Sequence, residues 1–133
     1  MVFTASAPEY ANKIIDAIDP NNEIFSFRLF RQQCYQTEKG LYIKDLRIVS
    51  RDPKELIIVD NATYSFGFQI YNGVPIIPFY GEKSDAEMMF LYEYLNYLAD
   101  KPDVRKINKK TFKFHLYQDG LSMEELRAKL FKK

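Results

Sequence analysis

The chain has 133 residues, one cysteine, one histidine and a net charge of +1. That length suits one domain with a real core. Cys34 alone excludes an internal disulfide and fits a reducing, intracellular compartment, and one thiol with one imidazole excludes zinc-type centres while leaving oxygen-ligated cations open. No apolar run approaches the roughly 20 residues that cross a bilayer, and Met1–Ser6 lacks the basic start and apolar centre of a signal peptide. Charge divides the chain: residues 1–100 hold 9 Lys and Arg against 14 Asp and Glu, a net of −5, whereas residues 101–133 hold 10 against 4, a net of +6. A basic tail can touch an acidic partner, but a solvated helix and loop explains it as simply. No aromatic-interleaved nucleic-acid motif and no internal repeat is present.

Val2, Phe3 and Thr4 read as the end of a short strand, and Ser6-Ala-Pro-Glu9 as a helix start in which Ser6 caps and Glu9 bonds back. Ile14, Ile15 and Ile18 give that helix an apolar face, which stops before Asp19-Pro20. A strand, a short loop and a helix N-terminus with hydroxyls on either side of Ala5 would favour an anion; a plain cap at Ser6 is the rival explanation. Phe25, Phe27 and Leu29 alternate with polar residues as a strand does, and Leu41-Tyr-Ile43 forms a second one after the turn Thr37–Gly40. Arg28, Arg31 and Lys44 on this excursion can clamp a phosphate or simply be exposed strand charges.

Arg51-Asp-Pro53 is a turn that launches Leu56-Ile-Ile-Val-Asp-Asn61. Four apolar residues, three of them β-branched, predict a strand buried on both faces, as in a parallel sheet covered by helices. Ligands in such sheets sit outside the carboxyl ends of the strands, which points to Asp60 and Asn61. A strand ending in an Asp/Asn turn looks the same. Tyr64–Tyr71 reads as a short helix or loop, Asn72-Gly73 as a turn, and Val74–Ile77 as an edge strand because Pro75 cannot donate to a ladder. Ser84-Asp-Ala-Glu87 is a capping box opening a helix whose core stripe is Met88, Leu91, Leu95 and Leu98, ended by Lys101-Pro102. The tail has a less patterned middle and a third capping box at Ser122-Met-Glu-Glu125; His115 has no evident partner.

Phe3-Thr4-Ala5-Ser6 with Tyr10-Ala11, Arg28-Leu-Phe-Arg31 with Cys34, Tyr42-Ile-Lys44-Asp-Leu46, Val59-Asp60-Asn61, Val74-Pro75 and Ser84-Asp85-x-Glu87 occur in that order. As an ordered set they resemble the phosphatase domain of the NLI-interacting-factor-like family. Its members are the small phosphatases of the RNA polymerase C-terminal domain and the Dullard proteins, within the haloacid dehalogenase superfamily. The resemblance covers about residues 1–100, with 101–133 left as a basic tail carrying a short C-terminal helix. It implies a three-layer α/β fold, a parallel sheet with helices on both faces, and a small β insertion at about residues 25–44.

The resemblance also implies a Mg²⁺-dependent phosphatase acting on Ser/Thr-phosphorylated proteins, the C-terminal domain of RNA polymerase II among them, in the nucleus or cytoplasm. By motif, Thr4 bonds the transferring phosphoryl group, Lys44 steadies the nucleophile and the developing charge, and Asn61 ligates magnesium. Asp60 pairs Lys44 or supports the metal shell, and Arg31 contacts substrate phosphate, with Ser6 beside it. The family's nucleophile and acid/base, however, belong to an Asp-x-Asp-x-Thr motif on the first, central strand, and no such motif occurs in these 133 residues. The expectation is therefore a partial domain that is inactive alone, a truncated phosphatase or a pseudoenzyme. A non-catalytic phosphopeptide- or partner-binding module is the alternative, and a relative of the mitochondrial import receptors a further one.

Overall fold

The computed structural model of the chain describes residues 1–118. Its elements are β1 (Val2–Phe3), α1 (Pro8–Ile18), β2 (Arg28–Leu29), β3 (Tyr35–Gln36), β4 (Tyr42–Ile43), β5 (Ile58–Asp60), β6 (Gly73–Pro75), α2 (Glu87–Ala99), α3 (Val104–Phe112) and α4 (His115–Gln118). Strands pair only in twos: β1 with β2 and β5 with β6 are parallel, and β3 with β4 is antiparallel. The protein is thus a mixed α/β fold with small parallel sheets.

The strand predicted at Leu56–Asn61 is present but shorter, as β5, and it is covered on both faces. Ile58 packs in one cluster with Leu46 and Phe66, while its neighbours Ile57 and Val59 pack against the other, formed by Val74, Leu98 and Val104. This is the two-faced burial that an uninterrupted apolar run foretells. Phe66 is fully buried, a burial that stabilises by about 2–3 kcal/mol. It lies directly over Gly73, where an added Cβ would stand 2.2 Å from its ring. The absence of a side chain at residue 73 is therefore what lets β6 start beneath the ring. The segment Thr63–Asn72 is a 3₁₀ helix kinked at Phe66 and Gln69, in line with the short helix or loop expected there.

Several local expectations are corrected. Ala7, not Ser6, precedes α1, without a side-chain cap, because Pro8 occupies the first turn. Asp85, not Ser84, accepts the Glu87 N–H at 3.0 Å before α2. Phe25 and Phe27 lie outside any strand, and Phe27 is 69% exposed. Asn72-Gly73 is no turn: Asn72 is buried and its amide donates to the Pro53 and Leu56 carbonyls. Met88 is exposed rather than core, and on α1 only Ala11 and Ile15 are buried while Ile14 and Ile18 face out. The poorly patterned stretch after Pro102 contains α3, whose Val104 and Asn108 are buried. The capping box at Ser122 lies outside the described residues.

Candidate active site

The C-terminal ends of β1 and β5 open on one cavity of about 270 Å³, lined by Thr4, Ala5 and Ser6 after β1 and by Asp60, Asn61 and Ala62 at the end of β5.

 Gly40, Leu41, Tyr42, Lys44, Tyr64 and Ser65 complete its wall among the described residues. The opening lies where a parallel strand pair places its ligands, outside the carboxyl ends.

Lys44 follows β4, and its backbone N–H donates to the Ser65 carbonyl at 2.6 Å, which fixes where the side chain starts. Its ammonium donates to Asp60 Oδ2 in an ion pair whose side chains are only 11% and 9% exposed. The other oxygen, Asp60 Oδ1, accepts the Ala62 N–H at 2.8 Å. Both carboxylate oxygens are thus engaged, whereas the ammonium keeps two donors for a ligand. Thr4 Oγ1 accepts the Ser6 N–H at 3.1 Å, so its own hydrogen is free to be donated. Among the described residues, Asp60 is the one carboxylate in the wall and Lys44 the one cation.

Thr4, Ser6, Lys44, Asp60 and Asn61 are therefore brought together as the sequence suggested. Arg31 is not in this wall. Its Nε donates to the Ala5 carbonyl at 2.7 Å and its guanidinium lies over Tyr42, 5.1 Å from the ring centroid. It lines a neighbouring cavity with Pro8, Glu9 and Cys34. Arg28 pairs with Asp16 at 2.5 Å and bonds Asn12 and Asn22, tying β2 to α1. Burial pushes the Cys34 thiol up, against the opposing pull of Lys44 and Arg31, so it is protonated at neutral pH and no thiolate nucleophile. His115 is absent from the wall, and its Nδ1 is buried without a partner. Sequence reasoning missed Ser65 and Tyr64, since a hydroxyl in an aromatic stretch carries no spacing signal.

A magnesium ion prefers six oxygens in octahedral array, commonly one or two carboxylates with water and phosphate oxygens. No cluster of three or more His, Cys, Asp or Glu able to hold a metal occurs among the described residues. The Asn61 side chain makes no hydrogen bond among the described residues and offers one oxygen, which fits as a single ligand. Asp60 fits as the support beside it, since Lys44 and Ala62 already hold its oxygens.

The chain matches the family model of the NLI interacting factor-like phosphatases over residues 1–105. It is 43% identical over 118 residues to CTD small phosphatase-like protein 2 of Dictyostelium discoideum, covering 89% of this chain and 20% of that protein. It is 39% identical over 114 residues to CTD small phosphatase-like protein 3 of Caenorhabditis elegans, covering 85% and 39%. A further relative is the mitochondrial import inner membrane translocase subunit TIM50 of Candida glabrata, 34% identical over 111 residues, with 82% and 22% covered. The chain thus spans less than half of each of these relatives. No helix among the described residues is long and apolar enough to cross a membrane. With the matched residues running from β1 through the cavity wall into α3, the chain belongs to the NLI interacting factor-like phosphatase family.

Proposed function

We propose that the cavity receives the phosphoryl group of a Ser- or Thr-phosphorylated protein, and that the chain is part of a haloacid-dehalogenase-type phosphatase. The observation that carries this is the Lys44 ammonium, held by Asp60 in the wall of the cavity that Thr4 also lines. A phosphate ester brings negative charge and several strong acceptor oxygens. Lys44 offsets that charge in a half-dry site, where a fixed cation is worth more than in water. Thr4 donates its free hydroxyl hydrogen to a phosphoryl oxygen, and Ser6 supplies a second hydroxyl from the same loop. Asp60 holds the ammonium in place, so no reorganisation is needed when the ligand arrives. Magnesium, bound through Asn61, would supply further charge neutralisation at the phosphoryl oxygens.

The finer fold we propose is the three-layer arrangement, with the β1–β2 and β5–β6 pairs in one parallel sheet; both pairs are parallel, and β1 and β5 end at the same cavity. Turnover is a separate matter. Haloacid dehalogenases attack phosphorus with an aspartate, and the one carboxylate in this wall is already engaged. The chain by itself binds a phosphoester without hydrolysing it. The same observation favours the second reading, a phosphopeptide-binding module.

Two measurements test this. Phosphoserine-peptide binding to the full chain, followed by fluorescence anisotropy, should weaken at least ten-fold in Lys44→Gln, a variant checked for folding by circular dichroism. Equal binding by folded Lys44→Gln would overturn the site. Assay on p-nitrophenyl phosphate with Mg²⁺ should show no turnover; magnesium-dependent turnover that Lys44→Ala abolishes would overturn the inactivity.

A further inference from the structure

Beyond Tyr64 the phosphate cavity has a neighbour. A second cavity, of about 570 Å³, is lined by Thr63, Tyr64, Gly67 and Ile70 from the 3₁₀ segment and by Phe112 and Phe114 from the end of α3. Tyr64 belongs to both walls. The volume lies in the range of sites that enclose small organic groups, and it exceeds what one phenyl ring needs. Among the described residues, no charged side chain lines it.

We propose that this cavity is a specificity pocket: it takes a large apolar or aromatic side chain of the phosphoprotein whose phosphoryl group sits against Lys44. The inference rests on the phosphoprotein reading and deepens it, by stating which sequences around the phosphorylated residue are preferred. Continuity decides the occupant. A peptide with its phosphate at Lys44 reaches the second cavity by crossing one residue, Tyr64, and an extended chain advances about 3.3 Å per residue. The preferred side chain therefore stands about two to four residues from the phosphorylated one. Polarity decides its chemistry. A charged or amide side chain would lose its hydration in a cavity without a charged partner, which disfavours it, whereas an aromatic one gains burial against Tyr64, Phe112 and Phe114.

Gly67 provides a clean probe. Gly67 lines this cavity and a Cβ built there meets nothing within 4 Å, so a larger side chain at residue 67 starts at the cavity wall without a clash from its first atom. Gly67 is not in the wall of the phosphate cavity.

The test uses the full chain and a set of phosphoserine peptides in a Ser/Ala background, each with one Phe placed from four residues before to four residues after the phosphoserine. Fluorescence anisotropy should show a roughly ten-fold gain for Phe at one position two to four residues away, the scale expected when part of an aromatic side chain is buried and part of the gain is lost to ordering. Gly67→Leu should erase that gain while leaving the parent peptide and inorganic phosphate bound as before. No gain at any position, or a gain that survives in Gly67→Leu, overturns the proposal. So does a full chain in which Gly67→Leu lowers the melting temperature and Phe peptides show no preference, since the chain's own residues beyond Gln118 would then fill the cavity. Loss of the phosphoprotein reading itself has a different signature: neither inorganic phosphate nor the parent peptide binds.

Discussion

The ion pair between Lys44 and Asp60 makes the cavity wall a test of energetics as well as function. Lys44→Met removes the cation and leaves Asp60 largely buried with one backbone donor, the Ala62 N–H. Breaking a buried pair by removing one partner costs about 3–5 kcal/mol. The retained donor and the open side of the cavity place this case near the lower end, about 3 kcal/mol. With an unfolding entropy of about 2.1 cal/mol/K per residue, that lowers the melting temperature by about 10 °C. Asp60→Leu alone strands the ammonium and should cost about 2–3 kcal/mol on the same grounds. The double variant leaves no unpaired charge, so it should return to within about 1 kcal/mol of the original chain, because replacing both members of a buried pair is often neutral. Urea denaturation followed by circular dichroism gives all four corners of the cycle. Phosphopeptide binding should be absent in the recovered double variant, which separates folding from recognition. The reasoning fails if Lys44→Met costs under about 1 kcal/mol, or if the two single losses simply add.

Three further outcomes follow from packing and charge. Gly73→Ala drives a methyl to 2.2 Å from the Phe66 ring and should destabilise by about 1–3 kcal/mol as overpacking does; adding Phe66→Leu should recover part of that loss in urea denaturation, and a purely additive pair would refute the contact. Asn108→Ala removes an acceptor for the Tyr94 hydroxyl at 2.8 Å and donors to the Tyr71 and Gly73 carbonyls at 2.9 and 3.3 Å, so a loss of about 2–4 kcal/mol is expected, whereas a change under 1 kcal/mol would show the network to be idle. Hydrogen bonds from Arg47 and Arg105 hold the Asp45 and Asp103 carboxyls at about 2, below the ordinary 3.8. Depressed folded-state values stabilise above the unfolded value and lose that contribution as pH falls through the folded one. Stability should therefore drop between about pH 4 and pH 2, and Asp45→Asn with Asp103→Asn should flatten that stretch of the curve.

Legibility followed the kind of signal each residue carries. Leu56–Val59 announced a strand because β-branched apolar residues in an unbroken run have few other uses, and Ile57, Ile58 and Val59 are covered from both sides. Thr4, Ser6, Lys44, Asp60 and Asn61 could be grouped only through the ordered family motifs, since they come from three separated segments that no spacing rule connects. Capping was misread twice: Ser6 and Ser84 had the right residue type, but Pro8 and Asp85 settle those helix starts. Helix α3 escaped because its buried Asn108 interrupts the apolar stripe and its lysines suggest a solvated tail. That asparagine is buried because three partners from α2, the 3₁₀ segment and β6 converge on it, a tertiary fact with no trace in local periodicity. Arg28 and Arg31 show the limit of charge reading. Both were phosphate candidates by type, yet one is committed to Asp16 and the other to the Ala5 carbonyl.

The wiring around Asp60 gives that carboxylate a bracing role and leaves any attack on phosphorus to another group. Its Oδ2 serves Lys44, its Oδ1 the Ala62 N–H, and its main-chain carbonyl accepts from Ile76 at 3.3 Å beside β6. A carboxylate bound in this way is a brace. To attack phosphorus it would have to release Lys44, and that would remove the cation the phosphoryl group needs at the same moment. The other nucleophiles in the wall are the hydroxyls of Thr4, Ser6, Tyr42, Tyr64 and Ser65, each of which needs a neighbouring base to act. The single histidine is not in the wall and Cys34 is held protonated by burial, so the described residues supply no such base. On the proposed reading, a cation and hydroxyl donors stand ready for a phosphate, and the described residues hold no free carboxylate in this wall to attack its ester. Supplying a carboxylate from another polypeptide is then a stricter trial of the site than any deletion. A peptide carrying Asp-x-Asp-x-Thr, added to the full chain with Mg²⁺ and p-nitrophenyl phosphate, should restore measurable hydrolysis that Lys44→Gln removes. Hydrolysis indifferent to Lys44 would place the chemistry outside this cavity.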